Sequence, residues 1–203
     1  DEVMTGCGRT GKNFAVDHWN VVPDIIATAK GLAAGYVPTG GIIARNGLVE
    51  QIKNGSGSFM HGHTYNGNPI SAAAVCAVFK YMKEHKLVEN AARMGEILGA
   101  GVKKIATENP IVGDVRGKGL MWGFELVKDK ETREPFDKTG AANVATKECV
   151  DRGLIIYPGS GQVDGLLGDN FLVAPPLIIN EEQVGELLEK LAAGLDAAAK
   201  KLV

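Results

Sequence analysis

Apolar and polar positions follow two different rhythms along this chain. Val22-Pro23-Asp24-Ile25-Ile26-Ala27-Thr28 opens with a turn-forming pair and runs into a short apolar stretch, which predicts a buried strand. Gly31, Gly35, Pro38, Gly40 and Gly41 then force a loop, and Gly41-Ile42-Ile43-Ala44 predicts another short strand. From Asn68-Pro69 the rhythm becomes helical. Proline near the first turn is followed by an apolar stripe of Ile70, Ala73, Ala74, Ala77, Val78 and Met82. A second helix is predicted over residues 86–107, with Leu87, Ala91, Met94, Leu98, Val102 and Ile105 on one side and Asn109-Pro110 as its stop.

The remainder mixes both rhythms. Residues 111–115 and 120–127 read as strands around an Arg-Gly-Lys-Gly turn, and residues 128–139 as a charged surface loop. A helix over 141–151 stops at Gly153, placed as a C-cap. Residues 154–157 predict a strand broken by Pro158-Gly159, and residues 171–174 another, closed by Pro175-Pro176. Asn180 with Gln183 three positions on forms a capping-box pattern. It stands ahead of the stripe Val184, Leu187, Leu188, Leu191, Leu195 and Leu202. The fold class is α/β, with one domain over 1–105 and a smaller α+β domain over 106–203.

Composition narrows the function classes. The chain has 203 residues, 45% of them apolar and 23% charged, with a formal charge of −2, as in an ordinary globular protein. Lysines and acids are interspersed without a basic stripe, so no nucleic-acid partner is expected. No apolar run approaches the roughly twenty residues of a membrane-spanning helix, and no membrane role is expected. Cys7, Cys76 and Cys149 are odd in number and far apart, a poor disulfide framework that fits a reducing compartment; the cytoplasm is the expected location. No metal-ligand spacing joins them to the four histidines. The opening on Asp-Glu-Val, without a methionine and resembling a strand end, reads as part of a longer chain. Many of the 27 glycines fall between Gly6 and Gly67 with apolar segments among them, which means tight turns and close backbone approach rather than a linker.

Four segments carry candidate chemistry: Asp1-Glu2-Val3-Met4-Thr5-Gly6-Cys7-Gly8-Arg9-Thr10-Gly11, Ala29-Lys30-Gly31-Leu32, His63-Thr64-Tyr65-Asn66-Gly67-Asn68-Pro69 and Ala174-Pro175-Pro176-Leu177. Taken singly they are bland. Lys30 reads as a solvated lysine between strand and loop, Asp1 as a turn aspartate, Val3 as a core valine and Thr64 as part of a helix-leading turn. In this order and spacing, the chain resembles the class III (ornithine/omega-type) aminotransferases of pyridoxal-phosphate (PLP) fold type I. Members of that family are about twice as long, so the resemblance implies the C-terminal part of a large mixed-sheet domain followed by the small α+β domain.

The resemblance implies roles. Lys30 would hold PLP as a Schiff base, and a desolvated setting among glycine-rich loops would favour its neutral amine. Asp1 would keep the pyridine nitrogen protonated, so that the ring draws electrons from the substrate. Val3 would lie against the ring face, and Thr64 would bind the cofactor phosphate of the neighbouring subunit, which implies a homodimer with shared active sites. The implied reaction is a ping-pong transfer of an amino group from an amine or omega-amino acid to a small keto acid such as pyruvate. An aminomutase or a lyase of the same fold would share Asp1, Lys30 and Thr64, and a fragment lacking the first half would be inactive alone. Arg116, in Val115-Arg116-Gly117-Lys118-Gly119-Leu120, matches a family motif at the start of the small domain; a structural ion pair is an equal reading.

Two positions depart from the family. Met4 replaces the common glutamine near the ring oxygen, and a thioether cannot donate a hydrogen bond. Leu172 stands where ornithine-type members carry an arginine that grips the substrate carboxylate, and leucine offers no such grip. Among other classes, a nucleotide-binding domain is disfavoured: Gly6-Cys7-Gly8-Arg9-Thr10-Gly11 lacks the Gly-Lys-Ser/Thr ending of a P-loop, and the Gly-x-Gly-x-x-Gly spacing it does have is a weak signal by itself.

Overall fold

Antiparallel pairing builds both sheets of the computed structural model, which describes residues 1–203. The chain falls into two compact units, Asp1–Glu89 and Asn90–Val203.

In the first unit, β1 (Ile25–Ala29) pairs with β2 (Gly40–Ala44), Ile25 opposite Ala44 and Ala29 opposite Gly40. A 3-10 helix over Lys30–Ala33 leaves the end of β1, and Ala34 closes it in the left-handed region at φ 50°. Helix α1 (Asn46–Asn54) follows β2 and was not anticipated: it carries only Leu48 and Ile52 as half-buried apolar positions, too short a stripe to announce a helix. Helix α2 (Pro69–Glu84) starts where expected. Its N-cap Asn68 accepts the N–H groups of Ile70 and Ser71, and Pro69 occupies the first turn. α2 packs against the 3-10 helix that begins at Lys30.

The opening residues are turns and not the strand end expected from Asp-Glu-Val. Asp1 Oδ1 takes the Val3 N–H at 2.8 Å and the Gly6 N–H returns to the Glu2 carbonyl at 3.0 Å, which curls the segment. A two-stranded sheet covers little apolar surface. Ile42, Ile43, Ile70 and Phe79 are accordingly exposed, and every residue of β2 is open.

The second unit holds a four-stranded sheet in the order β3-β4-β6-β5: β3 (Val112–Lys118), β4 (Met121–Leu126), β5 (Tyr157–Val163) and β6 (Leu167–Val173). Trp122, Phe124, Leu126, Phe171 and Val173 form its apolar face. Phe124 and Phe171 stack at 4.5 Å between centroids. This face shares one core with α3 (Leu87–Glu108), α4 (Ala141–Val150) and α5 (Glu181–Leu202). The compact units divide at Glu89, earlier than the 105/106 boundary expected from sequence, because Ala91, Met94, Leu98, Val102 and Ile105 of α3 are buried in the second core. Close approach of α3 to the β3–β4 hairpin uses Gly95. A Cβ there would stand 2.3 Å from the Cα of Gly119 in the two-residue turn.

The capping predictions hold. Asn180 and Gln183 make both capping-box bonds, and Gly153, at φ 76°, sends its N–H back to the Val150 carbonyl. One strand was misplaced. Residues 154–156 are irregular, and β5 begins at Tyr157 and runs through Pro158-Gly159. The proline is tolerated because β5 is an edge strand. Asp164 and Gly165, both at positive φ, turn the chain into β6.

Candidate active site

Strand β1 delivers Lys30. The lysine takes a left-handed backbone conformation at φ 46°, uncommon for a side-chain-bearing residue, and this breaks the strand sharply at that point. Its side chain is exposed and makes no hydrogen bond or ion pair, so this chain alone does not supply the desolvated setting expected for the amine.

The opening segment lies beside the same strand. The Glu2 N–H donates to the Ala27 carbonyl at 2.8 Å, three residues ahead of Lys30. Five residues on, Cys7 Sγ lies 3.8 Å from the buried Thr28 hydroxyl, and a Cβ on Gly31 would come within 3.2 Å of Cys7 Cβ. Burial pushes the Cys7 thiol up. Residues 2–7 and 27–31 are thus packed side by side, with Asp1 and Val3 flanking the residue that bonds Ala27. Asp1 is exposed and engages only Oδ1, with Val3 N–H; Val3 is half-buried.

Thr64 stands apart from this group. It is exposed, in a turn closed by the Asn66 N–H on the His63 carbonyl, four residues before the N-cap of α2. The structure sets the segment bearing Asp1 and Val3 against the strand that ends at Lys30, and shows no contact of Thr64 with that segment or with Lys30.

The remaining sequence candidates resolve simply. Arg116 is held by Asp114 at 2.7 Å and by Glu125 on the outer sheet face, and these partners raise its pKa, Glu125 foremost. Arg9 is half-buried, and burial lowers its pKa. Tyr36 is exposed. Leu172 sits in the row Arg116, Gly123, Leu172, Tyr157 across the sheet, half-buried on the face away from the core. Sequence reasoning gave Glu2 no role, yet it is the most buried acid of the first unit. Its signal was the Thr5 three positions on, whose hydroxyl it accepts.

The donor set fits PLP: an unengaged primary amine at a strand end, a carboxylate on the segment packed against that strand, and a hydroxyl ahead of a helix packed on the amine's own 3-10 turn. A family model described as Aminotransferase class-III matches residues 1–195. The chain belongs to the class III aminotransferase family.

Among curated relatives, an uncharacterized aminotransferase of Bacillus subtilis, YodT, is 39% identical over 203 residues, all of this chain and 46% of the relative. Putrescine–pyruvate aminotransferase of Pseudomonas aeruginosa is 36% identical over 200 residues, 98% of this chain and 42% of that protein. The chain therefore spans less than half the length of these relatives. A solved transaminase from the marine bacterium Virgibacillus superposes with a TM-score of 0.91 at 37% identity, covering 100% of this chain and 45% of that one. An amine transaminase from an uncultivated Pseudomonas species, solved in a PLP-bound form, gives 0.86 at 34% identity, covering 96% and 43%. The fold is that of the C-terminal part of fold type I PLP-dependent transaminases.

Proposed function

We propose that the protein containing this chain is an aminotransferase that moves an amino group from an amine or omega-amino acid to a small keto acid such as pyruvate, with PLP held at Lys30. One observation supports this above the others: the Glu2-to-Ala27 hydrogen bond sets the Asp1–Val3 segment against the strand that ends at Lys30. When bound, PLP supplies an aldehyde carbon that captures amines and a ring that withdraws electrons from them. The Asp1 carboxylate would be the counter-charge for a protonated pyridine nitrogen, Val3 would offer an apolar surface to the ring, and Lys30 would be the amine that holds the aldehyde carbon. The Lys30 amine, when not holding the cofactor, would be the base that moves a proton at the donor's Cα. Thr64 offers its hydroxyl to the phosphate held by a second copy of the chain.

Leu172 supports the donor class. With an apolar side chain where the ornithine-type enzymes use arginine, a donor carboxylate finds no bidentate partner at that position, and plain amines lose nothing. The putrescine–pyruvate relative, named for a diamine donor and pyruvate, is in keeping with this choice.

The test is Lys30→Ala in the full-length protein. Turnover with an amine donor and pyruvate should disappear, with PLP bound more weakly and without its covalent absorption band. Normal transamination by that variant would refute the assignment.

A further inference from the structure

We propose that Glu2 is a positioning residue, whose buried carboxylate and backbone together fix Asp1 beside the strand that ends at Lys30. This rests on the reading of Asp1 and Lys30 given above. Glu2 is only 3% exposed, and its bonds reach four separate places. Its N–H donates to Ala27 of β1 at 2.8 Å, and its carbonyl accepts the Gly6 N–H at 3.0 Å. Oε1 accepts the Val16 N–H at 2.9 Å, from the 3-10 helix Ala15–Trp19, and Oε2 accepts the Thr5 hydroxyl at 2.5 Å.

A carboxylate is an expensive way to fill buried space unless its bonds are made, and an apolar side chain would fill it at lower cost. The advantage of glutamate here is connectivity: one residue ties the opening turn, the 3-10 helix and β1 together. Burial pushes its pKa up, while the bonds from Thr5, Val16 and Ala15 and the positive chain terminus pull it down, and the carboxyl ends below its ordinary value. The surrounding backbone leaves no slack, since a Cβ on Gly6 would stand 2.7 Å from the Glu2 carbonyl oxygen. Asp1 in turn bonds the N–H of Val3, so its side chain is referenced to the backbone on either side of Glu2. That bond is the one the Asp1 carboxylate makes. Its placement therefore follows that of Glu2.

The test uses the full-length, PLP-loaded protein with Glu2→Met, Glu2→Gln, Thr5→Val and Asp1→Asn. Methionine fills similar space without accepting either bond. Glutamine can still accept from Val16 through its carbonyl and donate to the Thr5 hydroxyl. Glu2→Met should lower kcat by about ten- to a hundredfold, the scale of a small misplacement of a reacting group. The visible band of the bound cofactor should change while KM for the keto acid stays within about twofold, and Glu2→Gln should recover most of kcat. Should Glu2→Met not fold, Thr5→Val, which removes one carboxylate bond, must show the same changes in weaker form. A normal kcat and cofactor band in Glu2→Met (or in Thr5→Val in its stead), beside an impaired Asp1→Asn, would overturn the positioning role alone. A loss in Glu2→Gln as deep as in Glu2→Met would also overturn it. An unimpaired Asp1→Asn would instead overturn the underlying reading of the site.

Discussion

Replacing Gly95 by alanine sets two effects of known size against each other. In the interior of a helix, alanine is favoured over glycine by about 0.5–1 kcal/mol, because glycine loses more backbone freedom on folding. At Gly95, however, the new Cβ would stand 2.3, 2.5 and 2.6 Å from the Cα, C and O of Gly119. These are main-chain atoms of a hairpin turn anchored on both sides by the β3–β4 ladder, so they cannot rotate away as a side chain would. Overpacking of this kind typically costs about 1–3 kcal/mol, and contact with backbone belongs at the upper end. The clash outweighs the propensity gain, and Gly95→Ala should lose about 2 kcal/mol. Gly185, on α5, supplies the control: it is exposed and a Cβ there meets nothing within 4 Å. Gly185→Ala should therefore gain about 0.5–1 kcal/mol. Urea unfolding of both variants, followed by tryptophan fluorescence, separates the outcomes. A Gly95→Ala midpoint equal to or above that of the parent would refute the claim that packing of α3 on the hairpin decides the sign.

Two further expectations follow from the second unit. Burial raises the Cys149 thiol from its ordinary 9.0 to about 11. The native state thus keeps its proton where the unfolded state has lost it, so this contribution to stability is complete below about pH 9 and is lost as the pH rises towards 11. Cys149→Ala should flatten that part of the stability profile in urea titrations, and an unchanged slope would contradict the assignment. Leu172→Arg, on the outer sheet face, should shift preference from plain amines towards carboxylate-bearing donors, by about ten- to a hundredfold in the ratio of kcat/KM values for a matched pair. An unchanged ratio would remove Leu172 from the account of donor choice.

Local chemistry made parts of this fold legible. Asn68-Pro69 and Asn180 with Gln183 each supply their cap from within three residues, so the starts of α2 and α5 could be read directly. β5 was misread because Pro158 argues against strand in a central position, and only the sheet order reveals that it lies at an edge. The opening turns were hidden for a similar reason: Glu2 bonds to Ala27 and Val16, partners that local propensity does not register. In the candidate site, the motifs named Lys30, Asp1, Val3 and Thr64 through a resemblance, whereas the exposure of Lys30 depends on what covers β1 and is invisible in the sequence.

The proline in β5 has a consequence beyond the fold itself. β5 carries Pro158, which has no N–H to donate, and its register slips between Ser160 and Val163. β3, at the opposite margin, shifts between Val112 and Asp114 and carries Asp114, Arg116 and Lys118. Neither margin presents the long, flat row of free amides and carbonyls onto which a foreign strand can zip. The sheet is therefore protected against growing into ribbons through a main-chain ladder shared between copies.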